Sequence, residues 1–175
     1  ERGNRRHRPG RALERLDYRF DILGDYGGFR DLQRHRLLTI EWQSLTPRHG
    51  YEVPEAVTSA GLADRYDGVM ERSSGLYELL LDEFPQQASY AVAMAYRVRY
   101  VMQFNAREAL HMIELRSQPQ GHPNYRRIAQ AMYQQIATKA GHLAVAEMFS
   151  YIDLTAGEDG RLQAEKALDA RRSTQ

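Results

Sequence analysis

The sequence predicts an α+β domain in which a small sheet is covered by helices. Three stretches alternate apolar and polar residues with the period of two that a half-buried strand requires. The stretches between and after them repeat apolar residues three and four apart, the spacing of one helix face. The composition, 42% hydrophobic and 27% charged over 175 residues, is that of a chain able to bury one core.

Residues 1–12 are polar and basic, with Arg2, Arg5, Arg6, His7, Arg8 and Arg11, and Pro9-Gly10 interrupts any helix; they read as an arm. Tyr18, Phe20 and Ile22 then alternate with Asp17, Arg19 and Asp21 as a first strand, which Gly24 and Asp25 end. Asp25 caps a short helix running to Arg34. Leu38, Ile40 and Trp42 alternate with Thr39, Glu41 and Gln43 as a second strand.

Pro47, Gly50 and Pro54 make residues 46–54 a loop. Residues 55–84 read as helical, with Leu62, Val69, Met70, Leu76, Leu80 and Leu81 available for burial. Tyr96, Val98, Tyr100, Met102 and Phe104 form one face of the clearest strand. Asn105 followed by Glu108 is a capping-box pattern that opens a helix to Arg116. Residues 118–121 are a linker, and Pro123 suits the first turn of a helix carrying Ile128, Met132 and Ile136. A last helix covers His142 to Phe149, and residues 153–175 form a polar, loosely packed tail. The domain proper is thus 13–152. Tyr90, Tyr96, Tyr100, Tyr125 and Tyr133 are assigned to core or interface.

Composition also excludes whole classes of function. There is no cysteine, so disulfides, thiolate metal sites and cysteine nucleophiles are ruled out. A net charge of +1 gives no general attraction to nucleic acid, which leaves the basic arm as the one argument for a nucleic-acid module. No apolar run approaches the ~18 residues of a membrane span, so the expected setting is cytoplasmic. All but two of the 24 basic residues are arginines, the side chain whose planar fork grips phosphate and carboxylate. The histidines show no metal-ligand spacing, and no metal is expected. The first residue is Glu1 rather than Met, which suits one part of a longer, tandem protein.

The most informative segment is Arg34-His35-Arg36, where the short helix hands over to the second strand. It runs on as Leu37-Leu38-Thr39-Ile40-Glu41-Trp42-Gln43-Ser44-Leu45-Thr46, preceded by Glu14, Tyr18 and Phe20 and followed by Asn105-Ala106-Arg107 and Leu115-Arg116. This ordered set resembles the flavin-dependent thymidylate synthases, whose motif is Arg-His-Arg, two residues, Ser, one residue, Asn-Glu, one residue, Ser, one residue, Arg. The resemblance covers roughly residues 9–140.

The resemblance implies a small, mostly antiparallel sheet flanked by helices. It implies reductive methylation of dUMP to dTMP, with methylenetetrahydrofolate and NADPH as co-substrates and FAD as cofactor. Arg34, His35, Arg36, Asn105, Arg107 and His122 would meet the flavin, and Ser44, Arg48 and Arg116 the nucleotide. His111 stands where the family tends to have Asn, and reads either as a further flavin contact or as a satisfied helix histidine. No residue is assigned to catalysis itself. Members of the family are homotetramers whose sites combine subunits, so the expected partners are dUMP and further copies of the chain or a partner domain.

Several positions depart from the motif. Glu41-Trp42 stands where the family has Asn-Glu, and Thr46 where it has Arg, with Arg48 two positions late. Asp31 replaces a Gln three residues before the triplet, and Gln86 to Ser89 offer no phosphate-binding Arg ahead of the last strand. The nucleotide side of the site is altered more than the flavin side. The alternative reading is therefore a non-catalytic homologue that completes an oligomer or a partner domain's site.

Overall fold

The computed structural model describes residues 2–156 and 160–172. Its regular elements are β1 (Asp17–Asp25), α1 (Tyr26–Leu32), β2 (Thr39–Trp42), α2 (Glu55–Ser59), α3 (Ala63–Glu83), β3 (Arg97–Asn105), α4 (Ala106–Arg116), α5 (Pro123–Thr138), α6 (Leu143–Ala146) and α7 (Gly160–Arg172). The strands make one antiparallel sheet in the order β1-β3-β2, so the fold is α+β. Two backbone bonds set the register of β1 on β3: Tyr26 N donates to Tyr96 O at 2.9 Å, and Ala106 N donates to Leu16 O at 2.7 Å.

The chain divides into two compact units. The first comprises residues 1–20, 32–40 and 102–175, and the second residues 21–31 and 41–101. Each strand contributes residues to both.

In the first unit Met102 and Phe104 of β3 are buried, and the Phe20 ring stacks on Phe104 at 5.5 Å. On α4, Ala109, Leu110, Met112 and Ile113 are fully covered, as are Ala129 and Ile136 of α5. Burying each of the larger apolar side chains contributes about 1.5–3 kcal/mol, which makes this helix pair a rigid support. In the second unit Met70 and Tyr77 of α3 form a core with Ala88, Val92 and Tyr96, and the Phe29 ring lies 4.7 Å from that of Tyr100.

The alternating stretches became the three strands, and Asp25 caps α1 by accepting a hydrogen bond from Gly28 N at 2.7 Å. Other expectations need correction. Helix α1 stops at Leu32 rather than Arg34. The helix read over 55–84 is two helices, because Gly61 takes a left-handed φ of 68° and Leu62 N reaches back to Val57 O at 3.1 Å, a glycine-based stop.

Leu62, Val69 and Leu76, expected to be buried, are 43%, 50% and 49% exposed; the face of α3 that is buried carries Met70 and Tyr77 instead. Tyr90, assigned to core or interface, is not part of the core: it is exposed in the single chain. Regular helix after His142 covers only Leu143–Ala146. Within the tail Gly160–Arg172 is helical, while 157–159 and 173–175 lie outside the described residues. Among the described residues no helix is long and apolar enough to cross a membrane.

Candidate functional site

The site lies within the first unit, around the start of α4. Asn105 ends β3 in extended conformation and its side-chain oxygen accepts a hydrogen bond from Glu108 N at 2.9 Å, so one half of the capping box forms. The other half does not. The Glu108 carboxylate turns instead to two histidines, with Oε1 3.1 Å from His35 Nδ1 and Oε2 3.3 Å from His111 Nδ1. His35 and Glu108 side chains are each only 5% exposed.

Arg116, at the other end of α4, donates from Nε to His35 Nε2 at 3.0 Å. Arginine can only donate, so His35 Nε2 must accept and the ring proton sits on Nδ1, aimed at Glu108. A chain of Arg116, His35, Glu108 and His111 results, with the carboxylate in its centre.

Charge follows from this arrangement. Burial alone would raise the Glu108 carboxyl, but hydrogen bonds from His111 and His35 outweigh it and hold the group below its ordinary value. His111 is shifted up, chiefly by its bond to Glu108, against burial and the nearby Arg5 and Arg116 cations. Burial, first, lowers Arg116 from its usual value. His111 is thus a group whose protonated form Glu108 favours, on the exposed side of a buried carboxylate.

In front of Glu108 and His111 opens a cavity of about 900 Å³. Its walls come from Asn105 and Arg107, from Leu37 and Leu115, and from the N-terminal arm, which adds Arg2, Arg5, Arg6 and Arg8. Arg107 is fixed by Nε donating to Pro9 O at 3.1 Å and Nη1 donating to Glu14 Oε1 at 2.6 Å. Hydrogen bonds from Arg11 and, against burial, Arg107 keep the Glu14 carboxyl below its ordinary value.

Among the residues expected at a site, Asn105, Arg107 and His111 line the cavity, while His35 and Arg116 do not line it and are linked to it through Glu108. Arg34 and Arg36 are exposed and do not line it; Leu37, next in sequence, does. His122 instead caps α5, its Nδ1 accepting from Asn124 N at 3.3 Å. Ser44 and Arg48 belong to the second unit, both exposed.

Glu108 was missed as a functional residue because its spacing from Asn105 already had a local explanation. A His three residues after it on the same helix face was the available signal.

His35, Glu108 and His111 also offer ligand atoms that all lie within 4.8 Å of one another, a cluster that no linear spacing announced. A divalent cation there would displace two hydrogen bonds in a cavity lined by five arginines. The surrounding charge favours an anion.

The family model described as thymidylate synthase complementing protein matches residues 4–142. The chain belongs to this family. It is 42% identical over 164 residues to a UPF0159 protein of Chlamydia pneumoniae, a match covering 94% of this chain and 30% of that protein. A UPF0159 protein of Thermoplasma acidophilum is 39% identical over 166 residues, covering 94% of this chain and 33% of its own length. The chain thus spans about a third of the length of the curated relatives it matches. The fold is similar to thymidylate synthase X of Helicobacter pylori, solved with FAD and dUMP: the TM-score is 0.59 at 22% identity, over 79% of this chain and 75% of that one. At that identity the likeness is one of fold, and it agrees with the family that Arg34-His35-Arg36 resembles.

Proposed function

We propose that this chain is the flavin-binding part of a thymidylate synthase-like enzyme that methylates dUMP to dTMP reductively, with FAD as cofactor and methylenetetrahydrofolate and NADPH as co-substrates. The observation that carries this reading is that Asn105, Arg107 and His111 line one cavity, with His35 and Arg116 linked to it by hydrogen bonds through Glu108. The cavity suits the cofactor chemically: arginines for phosphates, Leu37 and Leu115 for a flat ring system, and at about 900 Å³ a size at the upper end of small-molecule sites. Family membership and the fold shared with a protein solved with FAD and dUMP support it. Homotetramer formation and a cytoplasmic setting belong to the same reading.

Flavin, when bound, supplies the hydride chemistry, and the protein supplies binding, orientation and charge. Arg107, clamped by Pro9 O and Glu14, presents a fixed cation to an anionic ligand. Glu108 favours the protonated form of His111 at the cavity wall and, through His35, positions Arg116.

A second reading has its own support. The chain spans about a third of the length of its relatives, and Glu41-Trp42 replaces the family's Asn-Glu. On this reading the domain is a non-catalytic homologue that completes an oligomer or a partner domain's site.

The visible absorption spectrum of the purified protein with added FAD, followed by titration with dUMP, separates the two. A bound-flavin spectrum that shifts with dUMP supports the enzyme. Failure to bind either ligand refutes it for this domain.

A further inference from the structure

The N-terminal arm is not a loose tail. Arg2 is its hub: the guanidinium pairs with both oxygens of Glu114 on α4, at 2.8 Å each, and the two side chains are 10% and 0% exposed. The same guanidinium donates to Arg5 O at 3.0 Å and to His7 O at 3.0 Å, so the loop from 2 to 8 is wound around it. Asn4 Oδ1 accepts from Arg6 N and His7 N, and Tyr151 Oη donates to Arg2 O at 2.8 Å.

This loop holds three arginines, Arg5, Arg6 and Arg8, against the cavity. Among the described residues their guanidinium groups make no hydrogen bond or ion pair, whereas Arg2 is matched by Glu114 and Arg107 by Glu14. Like charges fixed on one short loop repel each other unless an anion lies between them. Arg5 is also close enough to His111 to press its charge on it, so the arm and the Glu108 cluster face one space.

We propose that residues 2–8 are a preformed phosphate clamp, in which Arg5, Arg6 and Arg8 grip the diphosphate of a dinucleotide held in the cavity. The proposal rests on the flavin reading and specifies which residues take the phosphates. Three planar forks match two adjoining phosphates better than one, and the cavity admits a dinucleotide but not a nucleic-acid duplex. The clamp also offers phosphate-binding arginines in a chain that has Gln86 to Ser89 where the family places one.

Calorimetric titration of inorganic diphosphate into the full chain, with FAD and riboflavin in parallel, tests it. Arg5→Ala, Arg6→Ala and Arg8→Ala are each expected to weaken diphosphate by about tenfold or more, the scale of a lost charged hydrogen bond. Arg19→Ala, an exposed arginine on β1 away from the cavity, should change it less than about twofold. The triple variant should lose FAD affinity while keeping that for riboflavin, which has no phosphate. Absence of diphosphate binding to the unaltered chain, or undiminished binding to the triple variant, overturns the clamp. So does equal loss of riboflavin and FAD. Arm-dependent diphosphate binding without any flavin binding would uphold the clamp and remove the flavin reading. Flavin binding with FAD no tighter than riboflavin would do the reverse.

Discussion

Arg2→Ala is the substitution whose cost the structure defines best. It leaves the Glu114 carboxylate, 0% exposed, with the Tyr151 backbone N–H at 3.2 Å in place of three donors. Breaking a buried ion pair by removing one partner costs about 3–5 kcal/mol, because the remaining charge is neither solvated nor compensated. Against a total stability of about 5–15 kcal/mol this is a large fraction. At about 2–4 °C per kcal/mol for a chain of this size, the melting temperature should fall by roughly 6–20 °C. Urea unfolding followed by far-ultraviolet circular dichroism, with calorimetry, measures it. The double variant Arg2→Met, Glu114→Leu should recover most of the loss, since an apolar pair replaces the ions without stranding either. A loss below about 1 kcal/mol in Arg2→Ala would mean that water reaches Glu114 freely and that the arm is not held as described.

Tyr100→Phe should leave stability unchanged or raise it by about 1 kcal/mol, because the buried Tyr100 hydroxyl has no hydrogen-bond partner among the described residues, and an unsatisfied buried donor costs about 1–3 kcal/mol; a clear drop in the urea midpoint would show that the hydroxyl is bonded. Asn105→Ala removes the cap of α4 and should cost about 1 kcal/mol in the same assay, and it should also weaken any ligand of the cavity it lines. The Glu108–His111 pair should make stability depend on pH. His111 is raised above its ordinary 6.5, so its contribution is complete below that value and disappears as pH rises through the folded one. Glu108 is lowered below its ordinary 4.5, so its contribution is complete above 4.5 and disappears as pH falls through the folded one. The difference in unfolding free energy between the unaltered chain and Glu108→Gln should therefore be largest between these two values, and a difference that is flat from pH 4 to 9 would contradict the pairing.

Those features that short-range patterns control were legible in the sequence. The alternation of Val98, Tyr100, Met102 and Phe104 is the burial pattern of β3, and Asn105 does cap the helix after it. Arg107, carried over from the family resemblance, and His111, weighed as a flavin contact or a helix histidine, line one cavity. What escaped depends on partners far along the chain. Glu108 looked like half of a local cap until His35, 73 residues earlier, was brought to it. The helix over 55–84 was misjudged for a different reason: apolar residues occur around more of α3 than its core can cover, so periodicity could not say that Met70 and Tyr77 would be buried and Val69 and Leu76 left outside. The arm carried no signal of order, since Arg2 gains its meaning only from a glutamate 112 residues away.

That separation has a consequence in time. Arg2 leaves the ribosome well before Glu114 exists, and at about 5–20 residues per second the arm waits roughly 6–22 seconds for its anchor. During that interval the arginines of the arm are open to any polyanion in reach. The cavity wall they form can be completed only after α4 has been made.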